Sequence, residues 1–218
     1  MVPGQAVKIE LTFLSDWHIG TGGGIPGIAD RSILRDAEGF PYIPGRTLRG
    51  IFRDAHEKLF SLPHLKENIL SPVEVWGARQ QDKDTSGFRQ GRWQVSNGVL
   101  NKQLRDQLLQ ASPDVRHIWL DEFTFIVPRI ALNPRKRVRE NHLAFIEMGR
   151  KGLTFTFTLS RLDNSPFDEK ERYLLRLLSL FVQRLGGTRR RGKGRVKLSI
   201  SLDKNRQETL TQILGGKK

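Results

Sequence analysis

At 218 residues the chain can bury a sizeable core without staples, and the lack of any cysteine excludes disulfides, thiolate metal sites and cysteine nucleophiles. Its 37 Lys and Arg against 23 Asp and Glu leave a formal charge of +14, which repels itself unless a polyanion neutralises it, so RNA or DNA is the leading partner class. No apolar run nears the roughly 18 residues of a membrane span, and no Lys-rich amphipathic segment with aromatic anchors argues for a membrane surface.

The start, "MVPGQAVKIELTF", lacks a basic n-region and a small-residue cleavage site, so the cytoplasm is the expected compartment. Val7, Ile9, Leu11 and Phe13 then alternate with polar residues and predict a half-buried strand. A glycine-dense loop follows, "HIGTGGGIPGIAD", suited to close approach by another chain or ligand. "ILRDAEGFPYIPG" reads as an extended segment broken by a turn at Ala37 to Gly39, with Asp36 supplying turn chemistry. From about Thr47, the stripe of Leu48, Ile51, Phe52, Ala55 and Leu59 predicts a helix closed by Pro63, with Arg46, Arg49 and Arg53 along its other side. Gly45 at its start is expected to leave backbone N–H groups and the helix dipole free for a phosphate.

Residues 63–119 lose this regularity and read as an insertion, its part "RQQDKDTSGFRQGRW" polar, with a short strand at "RWQVS" and a helix near Leu104 to Gln110. Phe123, Phe125 and Val127 alternate as a strand. The basic run "NPRKRVRE" and then "NHLAFIEM" predict a protruding hairpin over residues 129–150. Leu153, Phe155, Phe157 and Leu159 make another strand. The strongest helical pattern runs from Tyr173 to Leu185, with Ser165 and Pro166 as its start and Gly186 as its stop. Val196, Leu198 and Ile200 form the last strand. Together these predict an α+β fold with a ferredoxin-like or RRM-like core over residues 1–218.

Between the last helix and strand lies "GGTRRRGKGRV". Gly187, Gly192 and Lys193 match G-x-x-x-x-G-K, yet Gly194 replaces the Ser or Thr that would hold Mg²⁺. A P-loop also runs from strand into helix, whereas this one runs from helix into strand, so no nucleotide cofactor is expected. What remains is a backbone-accessible loop (Gly186, Gly187, Gly192, Gly194) charged by Arg189, Arg190, Arg191, Lys193, Arg195 and Lys197, suited to nucleic-acid phosphates. The RRM base-stacking signature is absent, because "RGKGRVKL" carries no aromatic residue. The five histidines are scattered without metal-ligand spacing.

Two motifs together carry a resemblance. "GGTRRRGKGRV" resembles the C-terminal glycine-rich loop of the RAMP superfamily of CRISPR-associated proteins. Residues Asp16 to Ala55 resemble the N-terminal motif of its type III backbone subunits, through His18, Ile19 and Gly20, then Asp30, Ile33, Arg35 and Asp36, then Gly39, Tyr42 to Gly45, Thr47 to Gly50 and Arg53. "VWGARQ" with "GRWQVSNGVL" is similar to a family turn and strand, and "PRIALNPRKRVRE" sits where the family places its thumb hairpin. Trp17 and Arg46 depart from the pattern.

The resemblance implies an RRM-like core with lid and thumb insertions. It implies a subunit whose copies or paralogues, with other effector subunits, stack along a CRISPR guide RNA. In active members the Asp matching Asp30 is needed to cut complementary target RNA, with a divalent metal, here expected as Mg²⁺. A carboxylate there can act as base or hold a metal. Expected RNA contacts are His18, Arg46, Arg49, Arg53, the hairpin's Arg135, Lys136, Arg137 and Arg139, and the basic side chains of the glycine loop. A purely structural subunit, the superfamily's guide-processing endonuclease and a general RNA-binding domain remain as alternatives.

Overall fold

The protein is described by a computed structural model covering residues 6–20, 22–78, 90–132, 138–187 and 189–201. In chain order its elements are β1 (Ala6–Phe13), α1 (Gly45–Phe60), α2 (Pro63–Lys66), α3 (Pro72–Trp76), β2 (Trp93–Val95), β3 (Val99–Leu100), α4 (Lys102–Gln110), α5 (Pro113–Glu122), β4 (Thr124–Leu132), β5 (Val138–Gly149), β6 (Thr154–Arg161), α6 (Glu169–Phe181), a 3-10 turn at Arg189–Arg191, and β7 (Val196–Ile200). The main sheet has the order β2-β6-β1-β7, with β3 also paired to β6, and all its pairs are antiparallel. β1, α1, β2/β3, β6, α6 and β7 thus follow a β-α-β-β-α-β path, and the fold is α+β.

The period-2 pattern decides which face is covered. Ile9, Leu11 and Phe13 of β1, Phe155, Phe157 and Leu159 of β6, and Val196 and Leu198 of β7 are buried with Leu48 and Phe52 of α1 and Leu174 and Leu178 of α6. The opposite face presents Lys8, Glu10, Thr12, Thr154, Thr156, Thr158, Lys197 and Ser199. Among the described residues these strands put no aromatic side chain on that face. Among the described residues no helix is long and apolar enough to cross a membrane.

Several boundaries differ from the sequence expectations for local reasons. α6 starts at a capping box in which Asp168 accepts from the Glu171 N–H and Glu171 accepts from the Asp168 N–H, downstream of Ser165 and Pro166. It stops at Phe181 rather than running to Gly186. Residues 183–185 instead pair back onto the start of β7, through Val196 N–H to Gln183 O and Leu185 N–H to Gly194 O. α1 begins at Gly45, where β2 lies so close that a Cβ would fall on the Val95 carbonyl oxygen.

Residues 63–119 hold α2 to α4, most of α5, and β2 and β3, which extend the main sheet along β6. The polar stretch 79–89 lies outside the described residues. The β4–β5 ladder begins at Thr124↔Gly149, upstream of the expected residue 129.

Candidate nucleic-acid interface

The N-terminal motif and the C-terminal glycine loop meet at His18. Trp17 supplies the base. It stacks on Phe13 with ring centroids 4.5 Å apart, meets Phe155 edge-on at 5.4 Å, and exchanges two backbone hydrogen bonds with Gly149 at the foot of β5. A Cβ on Gly149 would overlap the Trp17 indole. The next residue, His18, is buried, with Nδ1 2.8 Å from the Glu147 carbonyl oxygen. Its own carbonyl accepts the Gly187 N–H at 2.9 Å, and a side chain on Gly186 would press on that carbonyl. Gly186, Gly192 and Gly194 all have positive φ, at 90°, 78° and 71°, which is why this turn takes glycines.

Glu147 on β5 is the hub of the site, and sequence reading did not single it out. Its Oε2 accepts the Ile33 N–H at 2.8 Å, its Oε1 accepts from Arg35 at 2.7 Å, and its N–H donates to the Arg31 carbonyl at 2.9 Å. Burial would raise its pKa, but the Ile33 N–H, the Arg35 guanidinium and the Thr124 hydroxyl together hold it below the ordinary carboxylate value. The alternation of "HLAFIEM" places a carboxylate among apolar positions, and that was the available signal.

Asp30 lies on the same extended stretch, docked against β5. Its N–H donates to the Phe145 carbonyl at 2.8 Å and its Oδ2 accepts the Phe145 N–H at 2.6 Å. The side chain is exposed and lines an open cleft of about 530 Å³ with Ile25, Ile28 and Phe145. Oδ1 has no protein partner among the described residues.

The predicted cations divide into groups. Arg189, Arg191 and Arg195 are exposed on the glycine loop. Lys193 is not free, because its ammonium pairs with Asp16 Oδ2 at 2.7 Å and ties the loop to the end of β1. Burial opposes ionisation of Asp16, yet Lys193 and the Lys151 N–H keep its pKa below the ordinary value. Arg190 lies in the 3-10 turn and Arg139 on β5. Arg135, Lys136 and Arg137 lie outside the described residues.

Arg46, Arg49 and Arg53 line a separate cleft of about 550 Å³ beside β2. Arg49 donates to the Trp76 carbonyl, and Arg53 pairs with Glu57 at 2.9 Å. One N–H of the expected open helix start is taken, because the Gly45 N–H donates to Asn97 Oδ1 at 2.8 Å. β2 and β7 are opposite edges of the main sheet, roughly 14 Å apart at the usual strand spacing. The α1 arginines and the glycine loop are therefore two basic regions rather than one.

Two arginines join the glycine-loop region that sequence reading left out. Arg31 follows Asp30, and Arg129 lies on β4. Burial lowers the pKa of Arg129, and the charges of Arg191 and Arg31 lower it further. No trio of His, Asp or Glu that could cage a metal occurs among the described residues. A single exposed carboxylate such as Asp30 does fit Mg²⁺, which keeps most of its waters and takes one or two carboxylates plus substrate phosphate.

A family model described as the RAMP superfamily matches residues 10–197. No curated protein matches the sequence significantly. Among solved structures, a chain of the Type III-B Cmr-beta complex bound to cognate target RNA aligns with TM-score 0.66 and 12% identity, covering 91% of this chain and 98% of that one. A chain of the Type III-B Cmr-beta apo state aligns with TM-score 0.60 and 15% identity over the same shares.

Proposed function

The chain belongs to the RAMP superfamily, and on that premise we propose that it is a backbone subunit of a type III CRISPR ribonucleoprotein that binds guide RNA and cleaves complementary target RNA. The observation that carries this reading is that the glycine loop docks on His18, which in turn docks on β5, the strand that also holds the exposed Asp30 carboxylate through Phe145. The shape shared with subunits of Cmr-beta complexes, one of them bound to target RNA, supports it.

Cleaving RNA at its own 2′-hydroxyl requires that the hydroxyl lose its proton, that the 2′ oxygen bond to phosphorus, and that the 5′ oxygen leave and take up a proton. In this reading Asp30 does this work. Phe145 holds one carboxylate oxygen, and the other faces the cleft free to accept a proton or hold a cation. A divalent ion held by Asp30 would neutralise charge building on the phosphate. The loop arginines grip backbone phosphates without reading sequence, which leaves sequence to base pairing with the guide.

Asp30→Asn tests the catalytic part, because the amide oxygen can still accept the Phe145 N–H while the charge is gone. In the reconstituted complex, target cutting should fall by roughly 10²-fold or more while guide retention is unchanged. Undiminished cutting at every site would leave Asp30 as a clamp. The Phe145 hydrogen bond favours that second reading, a structural subunit that only holds guide RNA.

A further inference from the structure

Arg31 and Arg129, from distant parts of the chain, lie on one face of the β4–β5 hairpin, and the loop carrying Arg191 is tied to the same stretch. We propose that Arg31, Arg129 and Arg191 form one cradle for a single phosphodiester of the guide strand, on the face of the β4–β5 hairpin opposite Asp30. This rests on the RNA-binding reading above and adds to it which residues hold the backbone and on which side.

The backbone places them. Arg31 pairs with Ile146 of β5, and directly paired residues share a face. Ile146 pairs with Val127, and Arg129, two residues further along β4, is opposite Ala144 on that same face. The loop carrying Arg191 is tied to this stretch by the Gly187 N–H on the His18 carbonyl and by His18 Nδ1 at the Glu147 carbonyl.

Arg129 is partly buried, and the charges of both Arg191 and Arg31 are felt there, so each is in electrostatic reach of Arg129. None of the three has a carboxylate partner among the described residues. Like charges gathered this way raise the energy of the free protein, and a bound anion removes that cost. Asp30, one residue earlier in an extended stretch, lines its cleft with Phe145 on the other face, beside the exposed Ile126, Ile130 and Leu143. The hairpin thus separates a cationic face for the guide backbone from the face where Asp30 meets the complementary strand.

The test is the affinity of the full chain for a labelled single-stranded RNA, followed by anisotropy over a range of salt. Arg31→Gln, Arg129→Gln and Arg191→Gln should each weaken binding roughly tenfold. The triple variant should lose only about 0.7 from the slope of log affinity against log salt, the value for one phosphate on a single strand. Arg116→Gln on α5 should change nothing. Relieved of repulsion, free Arg129→Gln should melt no lower than the wild type.

A slope loss of about 2 in the triple variant would mean three separate phosphates and overturn the cradle. So would an Arg129→Gln protein that melts lower yet binds RNA like the wild type. Both results leave the RNA-binding reading standing. A wild-type chain with no salt-dependent affinity for RNA would instead remove that reading and the cradle with it.

Discussion

Glu147 shows how one side chain can hold a site it does not serve directly. It is 6% exposed, and its carboxylate ties Ile33 and Arg35 to β5 while its backbone N–H and carbonyl hold Arg31 and His18. Glu147→Ala strands Arg35, which is 27% exposed and so keeps some water, and should cost about 2 kcal/mol in denaturant unfolding. RNA affinity should fall with it although Glu147 touches no RNA; unaltered affinity would mean the Asp30 segment holds without it. Because its folded pKa is lowered, this stabilisation is full above the ordinary carboxylate value and lost as pH falls through the folded one. His56 adds a second acid sensitivity. It is fully buried, accepts from the Trp76 indole N–H at 3.0 Å and donates to the Leu70 carbonyl, and burial pushes its pKa down from 6.5 to about 4. The unfolded chain therefore gains a proton below pH 6.5 that the folded one refuses. About 3 kcal/mol of stability should drain away between pH 6.5 and 4. His56→Gln should flatten the stability curve across that window, and an unchanged slope would show that another group titrates there.

Elements were legible where local pattern and tertiary role agree. β1, β6 and β7 alternate cleanly because one face of each lies against α1 and α6. α6 was visible by its leucines, but its end was not, since Val182 and Leu185 are buried beyond the helix as extended chain paired to the β7 approach. Its start is testable: Asp168→Ala removes half of the capping box and should cost about 1 kcal/mol in chemical denaturation. The glycine loop is less forgiving. A Cβ at Gly194 would land on the Leu185 carbonyl oxygen at a φ of +71°, so Gly194→Ala should cost roughly 2 kcal/mol and displace the loop arginines, lowering RNA affinity more than its stability loss explains. The hairpin poses the reverse case. Ile130 and Leu143 are a directly paired, exposed apolar couple, so replacing both with serine should leave stability within about 0.5 kcal/mol. A marked drop in melting temperature would show that they pack within the chain.

At the scale of the molecule, the charge of +14 pointed to a polyanion from composition alone, but its placement was not readable there. Arg49, Arg53 and Lys193 look like phosphate ligands in sequence, and in the fold Arg53 and Lys193 also pair with Glu57 and Asp16 while Arg49 donates to the Trp76 carbonyl. Arg31 and Arg129 carry no motif, and only the long-range pairing of Arg31 with Ile146 sets them on one face of the β4–β5 hairpin. The two motifs, by contrast, were legible because each needs local glycine geometry, and folding joins them at His18. The central claim is that this joined surface holds a guide RNA. It is tested most directly by expressing the protein with the genes that neighbour it, purifying it gently, and sequencing the RNA that accompanies it. The account predicts RNAs of uniform length that share a CRISPR repeat-derived end. A random sample of cellular RNA, or none, would contradict it.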